Sequence, residues 1–151
     1  MLFATPVVAG DWEDAAAAFS AGEYFEAVRL MKPLAEQGNL LAQTGLGFMY
    51  REGQGVPKDS ATAAQWFRAA AEQGSMIAQG ALGLLYGLGD GVPQNNLQAY
   101  AWVSSAAAQG SEEAKNNIGI IREQMTPAQI AEAQKLSSEY WEKYVVPFQK
   151  D

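Results

Sequence analysis

The residues of this chain that could do chemistry are carboxylates, and they fall in two clusters. Asp11, Glu13 and Asp14 lie near the start, and Glu112–Glu113 form a neighbouring pair further on. Carboxylates that converge on one point support general acid–base work or hold a hard cation such as calcium. Both clusters, however, fall where a helix is expected to begin, and acidic groups there are favoured by the helix dipole alone. The expectation is therefore no catalytic site, no cofactor site and no metal site. Composition removes most other chemistry. With no Cys and no His, Ser-His-Asp and Cys-His nucleophiles cannot be assembled, and the usual zinc ligand sets are missing. Ser-x-x-Lys does not occur, which removes the signature of serine acyl-transfer enzymes. Gly53-x-Gly55 and Gly87-x-Gly89-x-Gly91 look like phosphate loops. Each follows a helical segment rather than a strand, though, and lacks the Gly-Lys-Ser/Thr ending.

The elements that carry these residues repeat. A shift of 36 residues takes Leu46-Gly47 to Leu82-Gly83 and Ile118-Gly119, and Ala42 to Ala78 and Ala114. The same shift takes Tyr50 to Tyr86, Trp66 to Trp102, and Gly53, Gly55, Val56 and Pro57 to Gly89, Gly91, Val92 and Pro93. Gly38, Gly74 and Gly110 share one register and each precedes Asn39, Ser75 or Ser111. A Gly at the end of one helix followed by an N-cap residue closes that helix and opens the next with almost no loop. First helices are thus expected at 40–52, 76–88 and 112–124, each with an apolar stripe such as Ala42, Leu46 and Tyr50. Gly-x-Gly-Val-Pro ends them, and Asp59 and Asn95 cap the second helices. On these, Ala63, Trp66, Phe67 and Ala70, with their counterparts Ala99, Trp102, Val103 and Ala106, are expected to face inward.

A degenerate pair at 11–38 leads the array, repeats follow at 39–74 and 75–110, and a half repeat occupies 111–124. Thr126-Pro127-Ala128-Gln129 reads as a capping box that opens an amphipathic capping helix over 127–146. Its aromatic residues Tyr140, Trp141 and Tyr144, with Phe148 beyond, are expected to cover the last repeat; self-association is the alternative. Residues 1–10 are apolar and irregular. They read as the remnant of a secretion signal, or else as a disordered cytoplasmic N-terminus. The net charge of −7, with no segment net basic, argues against nucleic-acid binding. The longest apolar runs are too short to span a bilayer, so no membrane insertion is expected.

The pattern Ala-x-x-x-Leu-Gly-x-x-Tyr, Gly-x-Gly-Val-x-x-Asp, Ala-x-x-Trp-Phe-x-x-Ala-Ala-x-x-Gly, best seen over residues 40–74, resembles the Sel-one-like repeat family, a relative of tetratricopeptide repeats. The ending at Met125-Thr126-Pro127 looks like that of small secreted bacterial members. The resemblance implies an all-α, right-handed superhelical solenoid of antiparallel helix pairs. It also implies a non-enzymatic scaffold or adaptor that binds a protein or peptide, as a monomer and without cofactors. Regulation in the bacterial cell envelope, in a periplasmic or secreted setting, is the implied role. The alternatives are a cytoplasmic setting, a hydrolase of cell-wall or β-lactam-type substrates, and a self-associating structural component.

In tetratricopeptide-like arrays the first helices line the concave face. Carried over onto the Leu-Gly-x-x-Tyr motif, this places Thr44, Phe48 and Arg51, then Gly80, Leu84 and Gly87, then Asn116, Ile120 and Glu123 on a partner-binding groove. Phe48, Leu84 and Ile120 form an apolar row at the 36-residue spacing. An exposed row of this kind marks a binding surface, whereas a buried one is only packing between neighbouring units. Gly80 and Gly87 would open room in the middle of the groove.

Overall fold

Six successive helices open on side-chain caps drawn from the residue types the sequence offers. Asn39, Asp59, Ser75, Asn95 and Ser111 accept hydrogen bonds from the backbone N–H of Ala42, Thr62, Ala78, Gln98 and Ala114 at 2.9–3.2 Å. At Thr126 and Gln129 the capping box is complete in both directions. In the computed structural model, which describes residues 10–149, the helices are α1 (Gly10–Ser20), α2 (Tyr24–Glu36), α3 (Leu40–Glu52), α4 (Ser60–Ala71), α5 (Met76–Leu88), α6 (Asn96–Ala108), α7 (Glu112–Glu123) and α8 (Pro127–Tyr144), ending in a short 3₁₀ turn, Val146–Phe148. The expected signal remnant lies outside the described residues except for Gly10.

The chain is an all-helical repeat solenoid. Consecutive helices pack in order along it from α1 to α7. Ala42, Leu46, Ala78 and Leu82 are wholly buried, as are Ala63, Ala70, Ala99 and Ala106 opposite them. The abundant Ala thereby lets paired helices approach closely. The Leu-Gly motif completes this packing. A Cβ on Gly47 would run into the Phe67 ring of α4, and one on Gly83 would meet Val103 Cγ2 at 2.5 Å. The second Gly of the loop has another role. At positive φ, Gly55 and Gly91 press against the backbone at the start of the preceding second helix, at Tyr24 and Ser60 respectively. Only a residue without a side chain fits there.

A buried amide ladder links successive units. Gln43 donates to the Ala35 carbonyl at the end of α2 and accepts from Gln73, just past the end of α4, at 2.7 Å. Gln79 and Gln109 repeat this, on the Ala71 carbonyl and at 2.7 Å. These bonds satisfy helix-end carbonyls that burial would otherwise strand.

At the C-terminal end the capping helix lies over the last complete repeat. α8 turns back and packs on α6 rather than continuing the array against α7. Tyr140 and Tyr144 close over Trp102, with ring centroids 4.6 and 5.0 Å away, and Tyr140 donates a hydrogen bond to Gln98. The 3₁₀ turn reaches Gly74, where Phe148 lies beside the glycine. The physical reason is register. A 36-residue shift places Lys135, Glu139 and Glu142 where α6 carries Ala99, Val103 and Ala106, and such charges cannot be buried against α7 unpaired. The two Trp residues consequently differ. Trp102 is buried between helices, whereas Trp66, expected to match it, is only half-buried against the first core layer.

Candidate binding groove on the first helices

The first helices α3, α5 and α7 bring the apolar row into a shared depression. Helical spacing from Leu84 puts Ile77, Gly80, Ala81 and Leu84 on one face of α5. These residues form, with Phe48 and Arg51 of α3 and Ser111, Glu113, Ala114 and Asn117 of α7, a hollow of about 270 Å³. A second hollow of about 150 Å³ continues it past Leu84 and Asn117 to Gly87, Leu88, Ile120 and Gln124. Phe48 and Leu84 are half-buried. Ile77 and Ile120 are each 58% exposed, and Leu88 is 74% exposed. The row is thus neither fully packed away nor isolated. It is an apolar floor with exposed shoulders.

Phe48, at one end of the row, is held by two neighbours. The Phe48 ring stands edge-on to Phe67 at 5.0 Å, a geometry that aromatic quadrupoles favour. Arg51 lies over the Phe48 ring, its guanidinium carbon 4.9 Å from the ring centroid, and pairs with Glu52 at 2.8 Å. Gly80 and Gly87 line the floor, and added Cβ atoms would meet Ala106 at 3.9 Å and Ala99 at 3.7 Å. These are ordinary contacts, so the two glycines bring α5 close to α6 as much as they widen the groove.

The other positions fall differently. Thr44 is buried at the α3–α5 junction, where its hydroxyl donates to the Leu40 carbonyl at 2.9 Å and lies 3.4 Å from the Ser75 hydroxyl. Its hydrogen bonds are spent inside the fold, which corrects its placement on an accessible face. Asn116 and Glu123 are exposed but line neither hollow; Asn117, one residue along, lines both. Sequence reasoning missed Ile77, Leu88 and Asn117. The first two were within reach, since they continue the Leu84 stripe by whole turns of α5.

The groove mixes charges, with Arg51 on one side and Glu113 on the other, and holds no cluster of converging titratable groups. Among the described residues, no group of three or more Asp or Glu side chains is placed to hold a metal ion. No described helix is long and apolar enough to cross a membrane. The arrangement can bury apolar side chains of an extended or helical segment and offer polar contacts at its rim.

The Sel1 repeat pattern matches residues 40–75 and 77–111. Among solved structures, the chain is similar to a protective antigen present in uropathogenic Escherichia coli strains that displays an SLR fold. The two are 34% identical with a TM-score of 0.86 over 91% of this chain and 30% of that one. It is also similar to a Sel1 repeat protein from Oxalobacter formigenes, at 29% identity and a TM-score of 0.69 over 83% of this chain and 54% of that one. The chain therefore spans about a third and about half of the lengths of these two proteins. No curated protein matches it.

Proposed function

We propose, from the premise that this chain belongs to the Sel1 repeat family, that its first-helix groove captures a segment of a partner protein. Sel1 repeat proteins are typically non-catalytic protein-interaction scaffolds, and this chain is of that general kind. The observation that carries the finer reading is the continuous apolar floor from Phe48 through Leu84 to Ile120, with exposed Ile77 and Leu88 beside it. Contiguous exposed apolar surface on a folded domain marks an interaction site. The occupant is an apolar-faced peptide or helix, which the chain binds as a monomer. The setting is the bacterial cell envelope, where the chain serves a regulatory role from the periplasm or after secretion. The likeness to a protective antigen and the apolar start of the sequence support that placement.

The test places a photo-cross-linker at Leu84 in the native cell and identifies captured proteins by mass spectrometry. Ile77→Asp and Ile120→Asp change exposed side chains and leave the Phe48–Phe67 contact intact. We expect each to cut capture at least tenfold with unchanged helical circular dichroism. An unchanged set of captured proteins in both variants would sink the groove reading.

A further inference from the structure

We propose that the aromatic end of α8 fills one of two equivalent seats, and that the open one, centred on Trp66, docks an aromatic helix end of a partner protein built on the same pattern. The filled seat is defined by what touches it. Tyr140 and Tyr144 lie over Trp102, which shares its core cluster with Tyr86 and Val92. Phe148 lies against Gly74, and the Tyr144 carbonyl accepts from Gln79 at 3.5 Å. Lys143 titrates above its ordinary value, first through Tyr144 and to a lesser degree through the nearby Glu72 carboxylate. A shift of 36 residues carries Trp102, Tyr86, Val92, Gly74, Gln79 and Glu72 onto Trp66, Tyr50, Val56, Gly38, Gln43 and Glu36, without one change of residue type. Trp66, Tyr50 and Val56 pack on one core cluster, as their counterparts do. Nothing described takes the place of α8 there. Trp66 is half-buried where Trp102 is 1% exposed. Among the described residues, no atom lies within 4 Å of a Cβ on Gly38. A hollow of about 320 Å³ opens at Leu34, Gln37, Gly38 and Asn39, the register at which Phe148 lies one repeat later.

The positions that do differ narrow the occupant. The body of α8 passes Ser104 and Ala108 of α6, which share a hollow with Ser137, Ser138 and Trp141. On α4 these positions are Arg68 and Glu72, and both already serve the filled seat, Arg68 through the Tyr86 hydroxyl and Glu72 near Lys143. The occupant therefore meets the open seat with its last turns only. Gln98, which accepts from the Tyr140 hydroxyl, becomes Thr62, whose hydroxyl is spent on Asp59. The first aromatic residue of the occupant thus needs no hydroxyl. Glu36 stands where Glu72 faces Lys143, so a lysine at that place is electrostatically matched. The pattern is an aromatic residue, a lysine three places on, a second aromatic four places on and a phenylalanine eight places on, as in Tyr140, Lys143, Tyr144 and Phe148. This seat is separate from the groove, since none of its residues lines either groove hollow, and it does not rest on the groove reading.

The probe is a peptide of residues 137–149 of this chain, titrated into the isotope-labelled full chain and followed by backbone amide and Trp indole chemical shifts. We expect saturable shifts at Gly38, Gln43 and the Trp66 indole, with those of Gly74 and Trp102 unmoved. Trp66→Ala in the protein, and separately Phe148→Ala in the peptide, should each weaken binding at least tenfold; the peptide variant leaves the fold of the protein untouched. Glu36→Lys changes an exposed side chain and should weaken binding a few-fold, and Lys143→Glu in the peptide should restore it. Absence of shifts at millimolar peptide overturns the proposal, as does undiminished binding by the Phe148→Ala peptide. Shifts confined to Gly74 and Trp102 would show the peptide displacing α8 from its own seat, against the proposal. Shifts at Gly38 that grow with protein concentration and no peptide would assign the seat to a second copy. Binding seen only after deletion of residues 1–9 would assign it to the chain's own N-terminal segment; either result overturns a partner's helix end as the occupant.

Discussion

The two complete repeats and the C-terminal end are built from the same first-helix motif and use it in opposite ways. In α3 and α5 the Leu-Gly pair is sealed under a second helix, and the Gln of the same face joins a buried amide ladder. In α7 the glycine is retained, the Gln becomes Lys115, the Tyr becomes Arg122, and the face is open. The second helix that belongs there is replaced by α8, which spends its aromatic side on Trp102 instead. The difference teaches that a repeat motif specifies a surface, not the partner that covers it. What covers it depends on whether the following helix offers small apolar residues or charges.

The largest expected effect probes the cover supplied by α8. Trp102→Ala removes a side chain that is 1% exposed and should cost about 3–5 kcal/mol of unfolding free energy. Trp66→Ala, at the equivalent but half-buried position, should cost about 1–2 kcal/mol. Equal losses in urea denaturation would break the contrast between the two sites.

The glycines give the sharpest form of the comparison, because one substitution is expected to change sign. Gly83→Ala forces a methyl onto Val103 Cγ2 and should destabilise by about 1–3 kcal/mol. Gly119→Ala places the same methyl in open space within a helix and should stabilise by about 0.5–1 kcal/mol. Thermal unfolding of the two variants beside wild type reads both, and a loss in Gly119→Ala would show that this face is already occupied.

The smallest effect separates the two complete repeats. Their second helices have the same cap geometry, but one cap is Asp59 and the other Asn95. The Thr62 backbone N–H, and then its hydroxyl, hold the Asp59 carboxyl below its ordinary value. A lowered folded value means that this contribution is present above the ordinary carboxylate pKa of about 3.9 and is lost as pH falls through the lower, folded value. Amide exchange in the first turn of α4 should therefore speed up in acid relative to that of α6. Asp59→Asn should abolish the difference.

Much of this fold was legible because its signals are local. Asn39, Asp59, Ser75, Asn95, Ser111 and the Thr126–Gln129 box act within one turn of the chain, so their positions alone place the starts of α3 to α8. The 36-residue spacing likewise locates Gly47, Gly83 and Gly119, and helical periodicity groups Phe48, Leu84 and Ile120. The burial of Thr44 was not legible. Its place in the repeat matches Gly80, which lines the groove, and only the approach of α3 to α5 shows that its hydroxyl is enclosed. Asn117 instead of Asn116 was missed for the same reason, because one residue of helix rotation decides which side chain enters a hollow shared by two helices.

The sequence by itself determined the helices, their caps, the repeat and the face of each first helix that carries the Leu-Gly motif, because backbone hydrogen bonding and apolar periodicity are properties of neighbouring residues. Only the tertiary structure decided that α8 returns to Trp102, that Trp66 stays half-buried and that, among the described residues, nothing packs over Gly119. Those outcomes turn on competition between distant surfaces for the same apolar helix. α8 joins the one where its tyrosines stack, half-buried, on Trp102 and its charges remain in water.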